Sequence, residues 1–276
     1  MPKDTYIYSY GSHDISYDVW LSQDTSKPHT LLLLGVVQTG RIAEHVAENC
    51  PPGVAIVEGA KHWFVANDGH DIATFMVQYT YDAVRNIFKK YHPERVNVIA
   101  ESQAAPCAIA LAQKPPIGVS INNIVLVQPL GLNQDAYGKD IGKIIKTFKS
   151  RTIKNARHQI GSLLIDQHLR RNHLQLVRYV HFNNPVAAAQ YGAGLSYDAS
   201  SVLQKIALNH QIAIVCGQND TIFPPDEIRR TLERLDLDIP VIVVPGVPHS
   251  PLATKFGQRL LRKAFDIIDI DMEKHV

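Results

Sequence analysis

A chain of 276 residues, 45% apolar and 20% charged, can bury one sizeable core and is too apolar for disorder. Its net charge of +2 gives no overall drive toward nucleic acid. The opening Met1-Pro2-Lys3-Asp4-Thr5-Tyr6 lacks the apolar stretch of a secretory leader, and the longest apolar runs, such as Leu31 to Val37, are too short to span a bilayer. The expectation is a cytoplasmic protein with no transmembrane segment. Cys50, Cys107 and Cys216 are widely spaced and lie in or beside apolar elements, which fits buried free thiols rather than a disulfide framework.

Strand and helix patterns alternate along the chain. Thr5 to Tyr10 and Ile15 to Leu21 read as an antiparallel hairpin around Gly11-Ser12-His13-Asp14. Thr30 to Val37 is a continuous apolar run, as expected of a strand buried on both faces. A helix follows from Gly40 to Asn49, stopped by Pro51-Pro52-Gly53, and then a buried strand, Val54 to Val57. A polar and aromatic loop, Glu58 to Gly69, leads into a helix from Asp71 to Lys90. Arg95 to Ala100 is a strand that meets an alanine-rich helical pattern at Glu101-Ser102-Gln103-Ala104-Ala105. Further strands are expected at Asn123 to Gln128, Gln211 to Cys216 and Pro240 to Val244, with helices at Pro225 to Leu235 and Lys255 to Ile268. This alternation predicts a mainly parallel, doubly wound α/β sheet covered on both faces. Residues 132–205 break it, showing helical periodicity alone: Ile141, Ile144, Ile145 and Phe148 share one face, and Leu174, Val177 and Val180 another.

A strand that runs straight into a helix must turn sharply, and small neighbours let the two elements approach. With Ser102 at the tip and Ala100 and Ala104 beside it, this stretch resembles the nucleophile elbow G-x-S-x-G of the α/β-hydrolase family. Both glycines are alanines here, and alanine at a positive φ is costlier than glycine. The resemblance extends to element order. It implies a core of residues 1–131 and 206–276 with a helical cap insertion at 132–205. It also implies a triad in the order serine, acid, histidine. Asp220, in the loop after Gln211 to Cys216, holds the acid position; the other reading is that it bonds only its own turn. Asp226, beside Pro224 and Pro225, suits helix capping better. His249, behind Pro240 to Val244, holds the histidine position. The resemblance places the oxyanion donors at the backbone amides of Gln103 and Val36, although many relatives have His-Gly where this chain has Leu34-Gly35.

Other chemistries fit less well. Gly35 to Gly40 has the glycine spacing of a P-loop, but Arg41 and Ile42 stand where lysine and a hydroxyl residue belong. His62, Asp68, His70 and Asp71 match no zinc spacing, so no metal or cofactor is expected. The resemblance therefore implies a serine hydrolase of carboxylesterase type acting on a small acyl substrate. Thioester, amide and carbon–carbon cleavage use the same constellation, and a silent fold that only binds a ligand is the reading from another class. Between residues 139 and 182 ten basic side chains face Asp140 and Asp166 alone. That is either a solvated outer face of the cap, His158, His168 and His173 included, or an attraction for an anionic substrate, partner or lipid surface.

Overall fold

The computed structural model of the protein describes residues 1–23, 27–35, 38, 40–59, 72–132, 146–147, 150–159 and 199–272. Strands β1 (Lys3–Tyr10) and β2 (His13–Leu21) form an antiparallel hairpin closed by the Tyr10–His13 pair. The expected four-residue turn is only Gly11-Ser12, with Gly11 at φ 59°. A tight turn with positive φ at its first central residue matches the twist of paired strands, so His13 and Asp14 join the ladder.

The chain then alternates: β3 (Thr30–Leu33), α1 (Arg41–Glu48), β4 (Val54–Val57), α2 (Ile72–Tyr91), β5 (Val96–Glu101), α3 (Ala105–Gln113) and β6 (Ile121–Val127). After the segment around 132–198 come α4 (Ser200–Ile206), β7 (Gln211–Gly217), α5 (Pro225–Arg234), β8 (Val241–Val244) and α6 (Lys255–Met272). The eight strands lie in the order β1-β2-β4-β3-β5-β6-β7-β8, parallel from β4 to β8 and antiparallel at the β1–β2–β4 edge. β3 ends at Leu33, short of the apolar run Thr30 to Val37, of which Val36 and Val37 lie outside the described residues.

Successive residues of a central strand serve opposite faces. Val98 and Ala100 join the layer under α2, α3 and α5 with Phe75, Tyr79, Ile109 and Leu111, whereas Ile99 joins Ile42, Val46, Leu260 and Leu261 under α1 and α6. The fully buried Leu31, Leu32, Ile56 and Ile99 each contribute about 1.5–3 kcal/mol by leaving water. Leu203 and Ile206 of α4 pack in the first layer, so the chain is back on the core by residue 199. Cys50, Cys107 and Cys216 are buried and free. Among the described residues no helix is long and apolar enough to cross a membrane.

Candidate active site

Parallel strands bring the carboxyl ends of β5, β6, β7 and β8 to one edge, with Glu101 level with Val127 and Gly217 level with Val244. Ser102 stands at the tip between β5 and α3, half-buried, with φ 52°. The strain of this turn falls on the serine. Ala100 lies in the strand and Ala104 has a helical φ of −77°, so neither alanine carries the positive φ that would have favoured glycine. Their small size is what matters: Ala100 is fully buried and Ala104 nearly so, between β5 and α3. Gln103 lies in the first helical turn, Ser102–Ala104, where amides have no intrahelical acceptor. Val36 lies outside the described residues.

Asp220 and His249 meet. The His249 ring donates from Nδ1 to Asp220 Oδ2 at 2.8 Å, with the Asp220 side chain fully buried and that of His249 14% exposed. Asp220 Oδ1 accepts the amides of Ile222 at 2.9 Å and Phe223 at 2.8 Å, so its turn-forming and ring-holding roles fall to separate oxygens. Phe223 stands edge-on to the imidazole at 5.1 Å. Asp226 is away from this contact, paired with Arg229 on the first turn of α5, and makes no side-chain capping bond. The loops carrying Asp220 and His249 are joined through backbone: Asn219 donates to the Val247 carbonyl at 2.8 Å and Gln218 to that of Val244 at 3.0 Å.

Glu101, directly before Ser102, is the unforeseen member. Its carboxylate is buried and accepts the Gly35 amide at 2.8 Å and Gln38 Nε2 at 2.6 Å. A Cβ on Gly35 would lie 2.2 Å from Glu101 Oε2, so only glycine allows this approach. Gln38 Oε1 in turn accepts the Leu252 amide at 3.0 Å, tying the stretch after β3 to the loop that carries His249. Burial drives the Glu101 pKa up to about 7 against the opposing pull of His249, Gly35 and Gln38. At His249 burial is the largest influence and acts downward, but the charge of Asp220, the hydrogen bond to it and the charge of Glu101 together hold the ring above its ordinary value.

The His249 loop is gripped from two sides. Below, Gln128 bonds reciprocally to Ser250, Nε2 to the carbonyl at 2.9 Å and Oε1 from the amide at 3.1 Å. Above, residues 150–159 are helical, and Arg151, Asn155 and Gln159 lie along one stripe facing the loops. Arg151, expected on a basic outer face, instead forks onto Glu227 at 2.7 and 2.9 Å and donates to the Ile222 carbonyl. His158 is exposed, as are Lys154 and Arg157; His168, His173 and the apolar faces expected at 141–148 and 174–180 lie mostly or wholly outside the described residues. The same holds for the polar loop with His62, Asp68, His70 and Asp71.

An imidazole whose Nδ1–H is held by a carboxylate keeps Nε2 as a free base. Among the described residues no hydrogen bond joins the Ser102 hydroxyl to that ring, and no group of three metal-ligating side chains converges. The strained serine before a helix, the buried carboxylate–imidazole pair and the parallel sheet behind them are the marks of one class, the α/β-hydrolase fold. Comparison with solved structures gives the same answer. The chain matches a bromoperoxidase from Bacillus anthracis at 15% identity over 98% of this chain and 100% of the other, with a TM-score of 0.60. It matches E-2-(acetamidomethylene)succinate hydrolase at 15% identity over 97% and 100%, again at 0.60. A carboxylesterase of the thaumarchaeon Nitrososphaera gargenis aligns at 14% identity over 98% and 100%, with a TM-score of 0.58. No protein-family profile matches the chain, and no curated protein matches its sequence. The protein has the α/β-hydrolase fold.

Proposed function

We propose that the chain is a serine hydrolase that cleaves an acyl bond, with a carboxylic ester as the first substrate class. The observation that carries this reading is the 2.8 Å contact of His249 Nδ1 with buried Asp220, at the strand ends where Ser102 holds a positive φ. Ser102 Oγ attacks the carbonyl carbon while its proton passes to His249 Nε2. Asp220 keeps the tautomer and stabilises the imidazolium without taking the proton. The oxyanion is held by the Gln103 amide and, by family resemblance, that of Val36; a donor of this kind is worth about 3 kcal/mol in the transition state. His249 returns the proton to the leaving alcohol, and water then cleaves the acyl-enzyme by the same route reversed. Residues 132–198 form the cap in this proposal, the chain being back on the core from Ala199, and their basic side chains favour an anionic acyl substrate.

Chromogenic acyl esters of rising chain length and a fluorophosphonate probe test the reading together. Wild type should turn over one or more esters and take the label; Ser102→Ala should lose both. Label retained at another residue in Ser102→Ala would reject the assignment. Asp220→Asn should keep the fold and lower kcat by a factor on the order of 10⁴, because the ring then loses the partner that fixes its tautomer.

A further inference from the structure

Residues 150–159 invert the usual amphipathic pattern. Ile153 is 49% exposed, whereas Asn155 at 4% and Gln159 at 1% are buried. A buried amide is costly unless paired. Asn155 spends both its donor and its acceptor on the residue that carries the imidazole, and Gln159 spends its donor there and on Ser250, its Oε1 having no partner among the described residues. Asn155 Oδ1 accepts the His249 amide at 2.9 Å and Asn155 Nδ2 donates to the His249 carbonyl at 2.8 Å. Gln159 Nε2 donates to the same carbonyl and, at 3.0 Å, to Ser250 Oγ. Four residues before Asn155, Arg151 is fixed to Glu227 and the Ile222 carbonyl, and its own carbonyl accepts Thr221 Oγ1 at 2.9 Å. One helix thus grips the loop of Asp220 at one end and His249 at the other.

We propose that Asn155 and Gln159 are positioning residues for His249, and that helix 150–159 is a fixed strap which holds the ring on Asp220. This rests on the reading of His249 as the general base. Bonds to both the amide and the carbonyl of one residue restrain the peptide planes on either side, and so the direction of its Cα–Cβ bond. Gln128 restrains Ser250 in the same reciprocal way from the sheet. The base is therefore clamped between core and cap, and a small shift in its pivot is multiplied at Nε2, where near-attack geometry is demanding. Among the described residues the charged groups facing the ring are Asp220 from the loop after β7 and Glu101 from the end of β5; the strap presents neutral amides to it, its Arg151 being paired with Glu227.

The test uses the full chain, with steady-state kinetics on the best ester of the panel across the acid limb. The low-field proton resonance of the His249–Asp220 hydrogen bond is a readout independent of turnover. Asn155→Ala should lower kcat by about tenfold or more, a fraction of the 10²–10⁴ that general acid–base catalysis supplies, with KM within about twofold. The resonance should broaden in the same variant. Asn155→Asp, nearly isosteric and chosen in case alanine melts the cap, keeps the acceptor for the His249 amide but loses the donor and adds a negative charge. It should lower kcat less and move the acid limb to higher pH. Ile153→Ala, on the exposed side of the same helix, should change neither readout. Wild-type kcat, pH profile and resonance in both Asn155 variants would overturn the proposal. So would a loss of kcat with the resonance unchanged in position and width. If wild type hydrolyses nothing, the catalytic reading fails by itself, and the resonance still decides whether the strap holds the ring.

Discussion

Glu101 shows how one residue can matter to two equilibria. Its folded pKa of about 7 stands above the ordinary 4.5. As pH rises through 4.5 the unfolded chain ionises while the folded carboxyl does not, so stability falls until pH passes about 7 and is level beyond. Glu101→Gln removes that loss and can still accept the Gly35 and Gln38 hydrogens. We expect it to be more stable than wild type by about 3 kcal/mol above pH 7, from 1.36 kcal/mol per pKa unit, with no gain below pH 4.5. Urea denaturation at the two pH values reads this directly, and an equal gain at both would dismiss the buried charge as its source. The same substitution removes a negative charge that holds the His249 pKa up. The acid limb of kcat/KM should therefore move to lower pH, since the base is neutral at lower pH.

At the scale of elements, the site depends on loops that touch through backbone. A Cβ on Gly217 would lie 2.2 Å from the Val247 carbonyl oxygen. Gly217→Ala should push the end of β7 from the His249 loop and stretch the bond to Asp220. The expected result is a kcat loss of about tenfold or more with destabilisation of about 1–3 kcal/mol, the usual cost of overpacking. Thermal melts alongside kinetics check both, and full activity would mean that the loops part without moving the ring. The strands themselves were legible because runs such as Val54–Val57 are uninterrupted and end at turn residues. Ser102, Asp220 and His249 could be proposed as a set because each follows its own strand in the order the resemblance implies, and of these the structure brings Asp220 and His249 into contact. Glu101, Gln38, Gln128, Asn155 and Gln159 were not legible. Their partners lie 63 to 214 positions away, and no local period distinguishes a buried amide that grips a distant backbone from one that faces water. The spacing of Arg151, Asn155 and Gln159, four apart, puts them on one helical face, but spacing alone does not say that this face turns inward.

For the whole molecule, charge is more informative by segment than in total. Ten basic and two acidic residues between 139 and 182 give that segment +8, which leaves −6 for the remainder of a chain at +2. Arg151 belongs to that segment but is held by Glu227 of α5, so its charge is neutralised locally rather than offered to a ligand. The other nine remain for a proposed cap that attracts anions over a site whose own nearest charges, Asp220 and Glu101, are carboxylates. A positive rim over an acidic floor would draw an anionic acyl compound in by its distal end and leave the neutral carbonyl at Ser102. Screening separates this from plain solvation of a basic surface. Raising ionic strength from 0.01 M to 0.15 M shortens the Debye length from about 30 Å to about 8 Å. The kcat/KM for an ester with a distal carboxylate should then fall severalfold, through KM, while that of its neutral methyl analogue stays level. Equal salt dependence for the two esters would assign the basic residues to solvation and leave the choice of substrate to the pocket's shape.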